Sequence, residues 1–262
     1  MDRYLKTLRL FWTTSLSAQW EYQINFLVEL IAMIGTLLGS LFILSIFFSE
    51  GRQIGTWTWE TALVVQGVYT LLDGVTNSLL RPNLSDIVNH VREGTLDFIL
   101  IKPIDSQFWL SLRTFSPAGL SEIILGLLIV FWAVDKTGNE LSFLSIFMFF
   151  ISLVCAIIIL YSLWFIIAST SIWFVKTWNA TEVLRAVLAA GRYPVIAYPV
   201  PLRIIFTLVL PVAFLTTVPS ELILGLTSFS IVIQAVLFSL LFFFLSRSFW
   251  TFALKHYSSA SS

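Results

Sequence analysis

Apolar residues in this chain gather into six long runs, at about 24–48, 61–80, 116–134, 141–172, 204–218 and 227–245. A helix rises about 1.5 Å per residue and the hydrocarbon layer is about 30 Å thick, so about 20 apolar residues make one crossing. The pattern predicts an all-α integral membrane protein with six transmembrane helices in one domain over residues 1–262. Gln66, Asp73, Gly74 and Asn77 interrupt the second run, so that helix is expected to face protein and not lipid. The fourth run is too long for one crossing, and its end from about Ser171 should project into the cytosol. Pro211 and Pro219, followed by the short apolar piece Leu222–Leu226, predict a re-entrant or interfacial turn over 219–226 on the outer side. Residues 1–23 form a mixed-polarity segment in which Leu5, Leu8, Trp12 and Leu16 follow one helical face and Arg3, Lys6 and Arg9 another. That arrangement suits a helix lying in the cytoplasmic interface, or a merely solvated one.

Charge then orients the spans. Thirteen of the fifteen Lys and Arg residues fall in alternate segments: the N-terminus, the loop after the second run, the loop after the fourth and the C-terminal tail. Only Arg52 and Lys136 lie on the other side. Positive residues stay cytoplasmic during insertion, so both termini and the two long loops are expected in the cytosol.

Composition removes other classes. With 58% hydrophobic and 11% charged residues, the chain has less than half the charge of an ordinary soluble domain. Net charge is zero, which makes nucleic acid an unsuitable partner. The single cysteine, Cys155, leaves no disulfide within the chain and no metal-ligand spacing. There is no Ser–His–Asp order, and no G-x-x-x-x-G-K-[ST] sequence that could cradle nucleotide phosphates. The chain is therefore expected to catalyse nothing and to hold no cofactor or metal. Any energy source must be another subunit or an ion gradient.

Ionisable residues at bilayer depth are costly and mark functional sites by default. Glu29, Asp73 and Glu122 sit in or near the runs, and Gln66, Asp73 and Asn77, spaced 7 and 4, form one polar stripe. The stripe fits either a substrate path or hydrogen bonds to neighbouring helices. Glu122 is expected at the cytosolic boundary, satisfied separately from Arg113. In the loop after the second run, Asn83 to Val91 can form a short helix ended by Gly94, after which Leu96–Ile101 is apolar and Lys102-Pro103 turns the chain back. Such a segment beneath a bundle could act as a lever for a soluble partner.

Residues 92–108 read R-x-G-x-L-D-x-x-L-x-K-P-x-D-x-Q-F. This stretch resembles the membrane subunits of ABC-2-type exporters, most closely their daunorubicin-resistance-like permease branch. Glu21-Tyr22-Gln23-Ile24-Asn25-Phe26, Gly191-Arg192-Tyr193-Pro194 with Tyr198-Pro199, and Phe252 to Ser261 add to the resemblance, in order along the chain. The resemblance implies a six-helix permease of the bacterial cytoplasmic membrane that pairs with a second permease copy, identical or a paralogue. It implies two separate ATP-binding-cassette ATPase subunits, which bind ATP and magnesium. It also implies a coupling helix in the loop 81–107, with docking residues among Asp86, His90, Arg92, Glu93, Leu96 and Asp97. Gln66, Asp73, Asn77 and Glu122 remain candidates for the translocation path. The competing functions are a secondary transporter or channel independent of ATP and a membrane scaffold that moves nothing.

Overall fold

The computed structural model describes residues 2–19, 23–138, 141–174 and 178–258. Glu21 and Tyr22 of the N-terminal stretch, Lys176 of the loop after the fourth run and residues 259–261 of the tail lie outside the described residues. Among those described the chain is helical, with a single isolated bridge between Ile54 and Trp57.

Four helices are long and apolar enough to cross a membrane: Phe26–Phe47, Ala118–Thr137, Phe143–Ile172 and Phe229–Lys255. They lie in α2 (Gln23–Phe47), α8 (Ala118–Thr137), α9 (Phe143–Ser169, running on to Ile172) and α13 (Phe229–Lys255). A fifth candidate is bent: Val200–Val209 and Ala213–Ile223 meet at 74°. Here the structure departs from the predicted turn over 219–226. The break falls at Leu210–Val212, where Pro211 has no N–H to continue the helix and its ring collides with the preceding turn. Pro219 instead lies in the first turn of α12 (Val218–Ile223) and does not break its helix. The π turn Ala213–Thr217 widens the backbone just before it.

The second predicted run becomes α3 (Trp59–Val75), the π turn Thr76–Leu80 and α4 (Arg81–Leu84) without interruption. Thr58 caps its start in a capping box with Thr61. As its polar interruptions predict, α3 lies among other helices and buries nearly every residue from Ala62 to Val68. Trp57, which suits an interfacial aromatic belt by sequence, is buried at 3% exposure instead.

Four glycines bring α3 and α8 together as an antiparallel pair. A Cβ on Gly74 would sit 2.6 Å from the Gly119 carbonyl, and one on Gly126 would sit 2.5 Å from the Leu71 nitrogen. Gly67 meets Val130 in the same way, and Gly119 is pressed against the Gly74 carbonyl. Lipid tails are as apolar as leucine, so helices in a membrane associate through close van der Waals contact that only small residues permit. Behind this pair, α9 packs on α13 and α12, burying Trp164, Phe165 and Trp250, with the last two rings edge to face at 5.4 Å.

The segment between α4 and α8 folds as three short helices, α5 (Asp86–Arg92), α6 (Leu96–Leu100) and α7 (Ser106–Leu112), with Gly94 at φ 69 between the first two. The apolar run after Gly94 is thus helical. α1 (Asp2–Gln19) lies against α7. Tyr4 meets Phe108, Phe11 meets Trp109, Trp12 stacks on Phe115 and donates to the Leu112 carbonyl. Its aromatic face is therefore spent on protein, while Leu5, Lys6, Arg9 and Leu10 stay exposed.

Replacing Gly126 by Ala should lower the thermal midpoint of the purified chain, because the contacted atoms are backbone and overpacking costs about 1–3 kcal/mol. Gly35→Ala on α2, where a Cβ meets nothing within 4 Å, is the matched control and should leave the midpoint unchanged or slightly raised. Equal midpoints for the two variants would contradict the close approach.

Candidate functional site

The polar stripe of α3 opens into a cavity of about 870 Å³ inside the bundle. Gln66, Asp73 and Asn77 line it, and so do Glu29 from α2 and Glu122 from α8, so every residue singled out for the path meets at one place. The glycine contact explains the meeting. With α3 and α8 backbones touching at Gly74 and Gly119, Asn77 reaches across and donates from Nδ2 to Glu122 Oε2 at 2.8 Å. Glu122 is thus satisfied by Asn77 and not by Arg113.

Other groups complete the lining. Tyr69, one turn before Asp73, carries the Arg192 guanidinium over its ring at 4.9 Å. Arg185, in α10 (Trp178–Leu188), pairs with Glu182 at 3.5 Å, and Arg81 enters from the start of α4. Trp164 of α9 and Thr216 of the π turn before α12 close another side. Several of these groups keep unused hydrogen-bonding capacity: Gln66 Oε1, Asn77 Oδ1, Thr216 Oγ1, Trp164 Nε1 and Arg192 Nε have no partner among the described residues. Buried polar atoms normally find partners, and a cluster of exceptions lining one cavity is the pattern of a binding site. Sequence reasoning missed Tyr69, Trp164 and Thr216, and it assigned Arg185 and Arg192 to membrane orientation. The tyrosine four residues before Asp73 was the one legible signal.

The predicted docking residues lie apart from this cavity, on the α5–α6 hairpin. His90 is held between Asp86 (3.3 Å) and the Thr95 hydroxyl (2.7 Å), which closes the turn around Gly94. Arg92 and Glu93 project into solvent beside each other. Asp97 is half-buried, and Leu96 is wholly buried in the hydrophobic core, which removes it from any docking surface. The apolar side chains that do project are Phe98 and Ile101, at 66% and 79% exposure. Their i, i+3 spacing in the run Leu96–Ile101 could have marked them, since a helix cannot bury all of such a run against one neighbour.

The D-x-Q part of the 92–108 motif has a different task. Asp105 caps α7 by accepting from the Phe108 amide and pairs with Arg247 of α13. Gln107 donates to the Tyr161 hydroxyl of α9 at 3.0 Å and accepts from Arg247, while Trp250 donates to Ser106. At the other end Asn83, buried at 4% exposure, donates to the carbonyls of Leu79 and Thr114 and accepts from the Thr114 amide. The hairpin is therefore bolted at both ends to the transmembrane helices. Partial burial works against the charge of Asp105, yet the Arg247 and Phe108 hydrogen bonds hold its carboxyl below the usual range.

Two comparisons are silent and one is not. A family model described as ABC-2 family transporter protein matches residues 34–261, which supports an ABC-2-type permease without singling out the daunorubicin-resistance-like branch. No curated protein and no solved structure matches the chain.

Two outcomes test this arrangement. In a Cys155→Ser background, Asp73→Cys and Asn77→Cys should react with a small water-soluble thiol reagent, and the more deeply buried Gln66→Cys more slowly; no reaction at any of the three in folded protein would close the cavity to water. Burial chiefly lowers the His90 pKa below the ordinary imidazole value of 6.5, with Asp86 opposing. The unfolded hairpin therefore takes up a proton that the native one refuses, so its stability falls as pH drops through 6.5. After correction for the intrinsic slowing of amide exchange at lower pH, the protection of amides over 86–96 should be weaker at about pH 5.5 than at pH 7.5, and His90→Gln should remove that difference.

Proposed function

This chain belongs to the ABC-2 transporter family, and we propose that it is the permease subunit of an ATP-driven exporter in a bacterial cytoplasmic membrane. It works with six spans, both termini in the cytosol, beside a second permease copy and two separate ATP-binding subunits. α3 with its π turn and α4 supplies the sixth crossing, since a helix from Trp59 to Leu84 is about 39 Å long. The aromatic face of α1 holds it to α7 at the cytoplasmic interface, where Lys6 and Arg9 meet lipid headgroups.

The observation that carries the reading is the charged cavity walled by helices apolar enough to cross a membrane. Placing carboxylates and guanidinium groups at such depth costs several kcal/mol, which an anchoring scaffold has no reason to bear. The cavity is the place where cargo is held on its path. The α5–α6 hairpin is the coupling element: Phe98 and Ile101 seat in the ATPase, and Arg92, Glu93, Asp86 and Asp97 ring that contact. An apolar centre with a charged rim is the usual anatomy of a protein interface. Because Asn83 ties the hairpin to the α7–α8 loop, and Asp105 and Gln107 tie it to α13 and α9, a push on it moves the walls of the cavity.

The chain alone should hydrolyse no ATP above background, whereas co-expression with its ATPase should yield a complex that hydrolyses ATP and exports. Phe98→Glu with Ile101→Glu should weaken that complex at least tenfold or uncouple hydrolysis from transport, an interface loss of about 1.4 kcal/mol or more. Unchanged assembly and transport would remove the hairpin from this role. Transport that continues without any ATPase would favour a secondary transporter.

A further inference from the structure

We infer that the cavity binds a zwitterionic head group, its cationic end among the carboxylates of Glu29, Asp73 and Glu122 and its anionic end on Arg192 and Arg185. The inference rests on the permease reading only in taking this cavity as the cargo site.

The three carboxylates come from three helices, α2, α3 and α8, and Glu122 feels the negative charges of both Asp73 and Glu29. Among the described residues none of the three has an ion-pair partner within 4.0 Å, and the one donor to Glu122 is the neutral Asn77 amide. Like charges that converge on one cavity repel one another, and a cation among them removes that penalty. No group of three or more metal-type ligands occurs among the described residues, so an organic ammonium suits the site better than a metal ion.

A basic pole lies within electrostatic reach in the same cavity, since Asp73 is attracted by Arg185 and then by Arg192. Arg192 is oriented by the Tyr69 ring and its Nε has no partner. A simple cation would leave that donor unmet, and a simple anion would leave the carboxylates repelling. A molecule carrying both charges satisfies each pole. Three neutral side chains add specificity: Gln66, Thr216 and Trp164, each at most 2% exposed, line the cavity with an unpartnered oxygen or N–H. The volume exceeds that of a head group alone and falls within the range of drug-sized sites. One wall is α2, which buries only Ser40 and Leu44 among its described residues, so an attached tail can lie beside it. The head group can therefore belong to an amphiphile or to a free solute.

The test titrates the full-length chain in maltoside detergent with dodecylphosphocholine, dodecyltrimethylammonium and dodecyl phosphate below their micelle concentrations, and with free phosphocholine. Tryptophan fluorescence and the thermal midpoint report binding, and Trp164→Phe, which takes an N–H from the cavity lining, should remove the fluorescence response and lessen the midpoint shift. The zwitterionic probe should bind saturably and about tenfold more tightly than either singly charged one. Asp73→Asn should weaken the zwitterion and the cation about tenfold and leave the anion unchanged; Arg192→Gln should do the reverse. Glu122→Gln and Arg185→Gln repeat the pair if either first variant misfolds. Free phosphocholine matching the dodecyl probe assigns a solute, and a requirement for the tail assigns an amphiphile. Equal affinity for all head groups, or affinities insensitive to these substitutions, would overturn the inference. Binding is read without ATP or partner, so its failure is separate from failure of ATP-driven export.

Discussion

The rest of the molecule depends on the backbone contact between α3 and α8. Four glycines, Gly67 and Gly74 on one helix and Gly119 and Gly126 on the other, let the two main chains touch where any Cβ would collide with backbone atoms. In lipid there is little gain from burying apolar surface against apolar surface, so attraction between helices grows with how closely they approach. This approach sets the rotation of α3. It turns Gln66, Asp73 and Asn77 inward together and brings Asn77 onto Glu122, while the α4–α7 segment joins the end of one helix to the start of the other. The Ser116 amide donating to the Ser78 carbonyl continues the same seam to that end of the pair.

A second constraint fixes the hairpin beneath the bundle. Short helices of five to seven residues are unstable alone, so α5, α6 and α7 owe their shape to what they touch. Ile87, Leu96 and Ile99 bury into the main core. Asp105, Ser106 and Gln107 bind Arg247, Tyr161 and Trp250, and Lys102 lies 3.6 Å over the Trp109 ring. The K-P-x-D-x-Q stretch is therefore an anchor on α9 and α13, and the side chains offered outward, Phe98 and Ile101, come from the run before it.

The cavity runs against the logic of the rest. Elsewhere the helices hide small hydroxyls by bonding them to carbonyls three or four residues back, as Ser152, Ser162 and Ser169 do along α9. Around the cavity the same chain keeps carboxylates, guanidinium groups and unpartnered amides. Such a site lowers stability, and polar groups kept at a cost in this way mark a functional site by default.

Much of this was legible from the order of residues alone. Apolar run length and the bilayer thickness determined an all-helical membrane protein, because backbone polar groups in lipid must bond within their own segment. Periodicity determined that Gln66, Asp73 and Asn77 share a face, and that Gly94 ends a short helix. The residues of 92–108 carried the family. Tertiary structure decided what those features meet. Leu96 and Ile101 are equally apolar, yet one is core and the other exposed, since only the packing partner of α6 separates them. Pro211 and Pro219 look equivalent in sequence and each follows a π turn, yet the chain bends by 74° only at the first, while the second sits in the first turn of α12. Arg185 and Arg192 count as positive charges for orientation in any reading of the chain. Their place beside Asp73 and Tyr69 depends on contacts across more than a hundred residues, which no local pattern encodes.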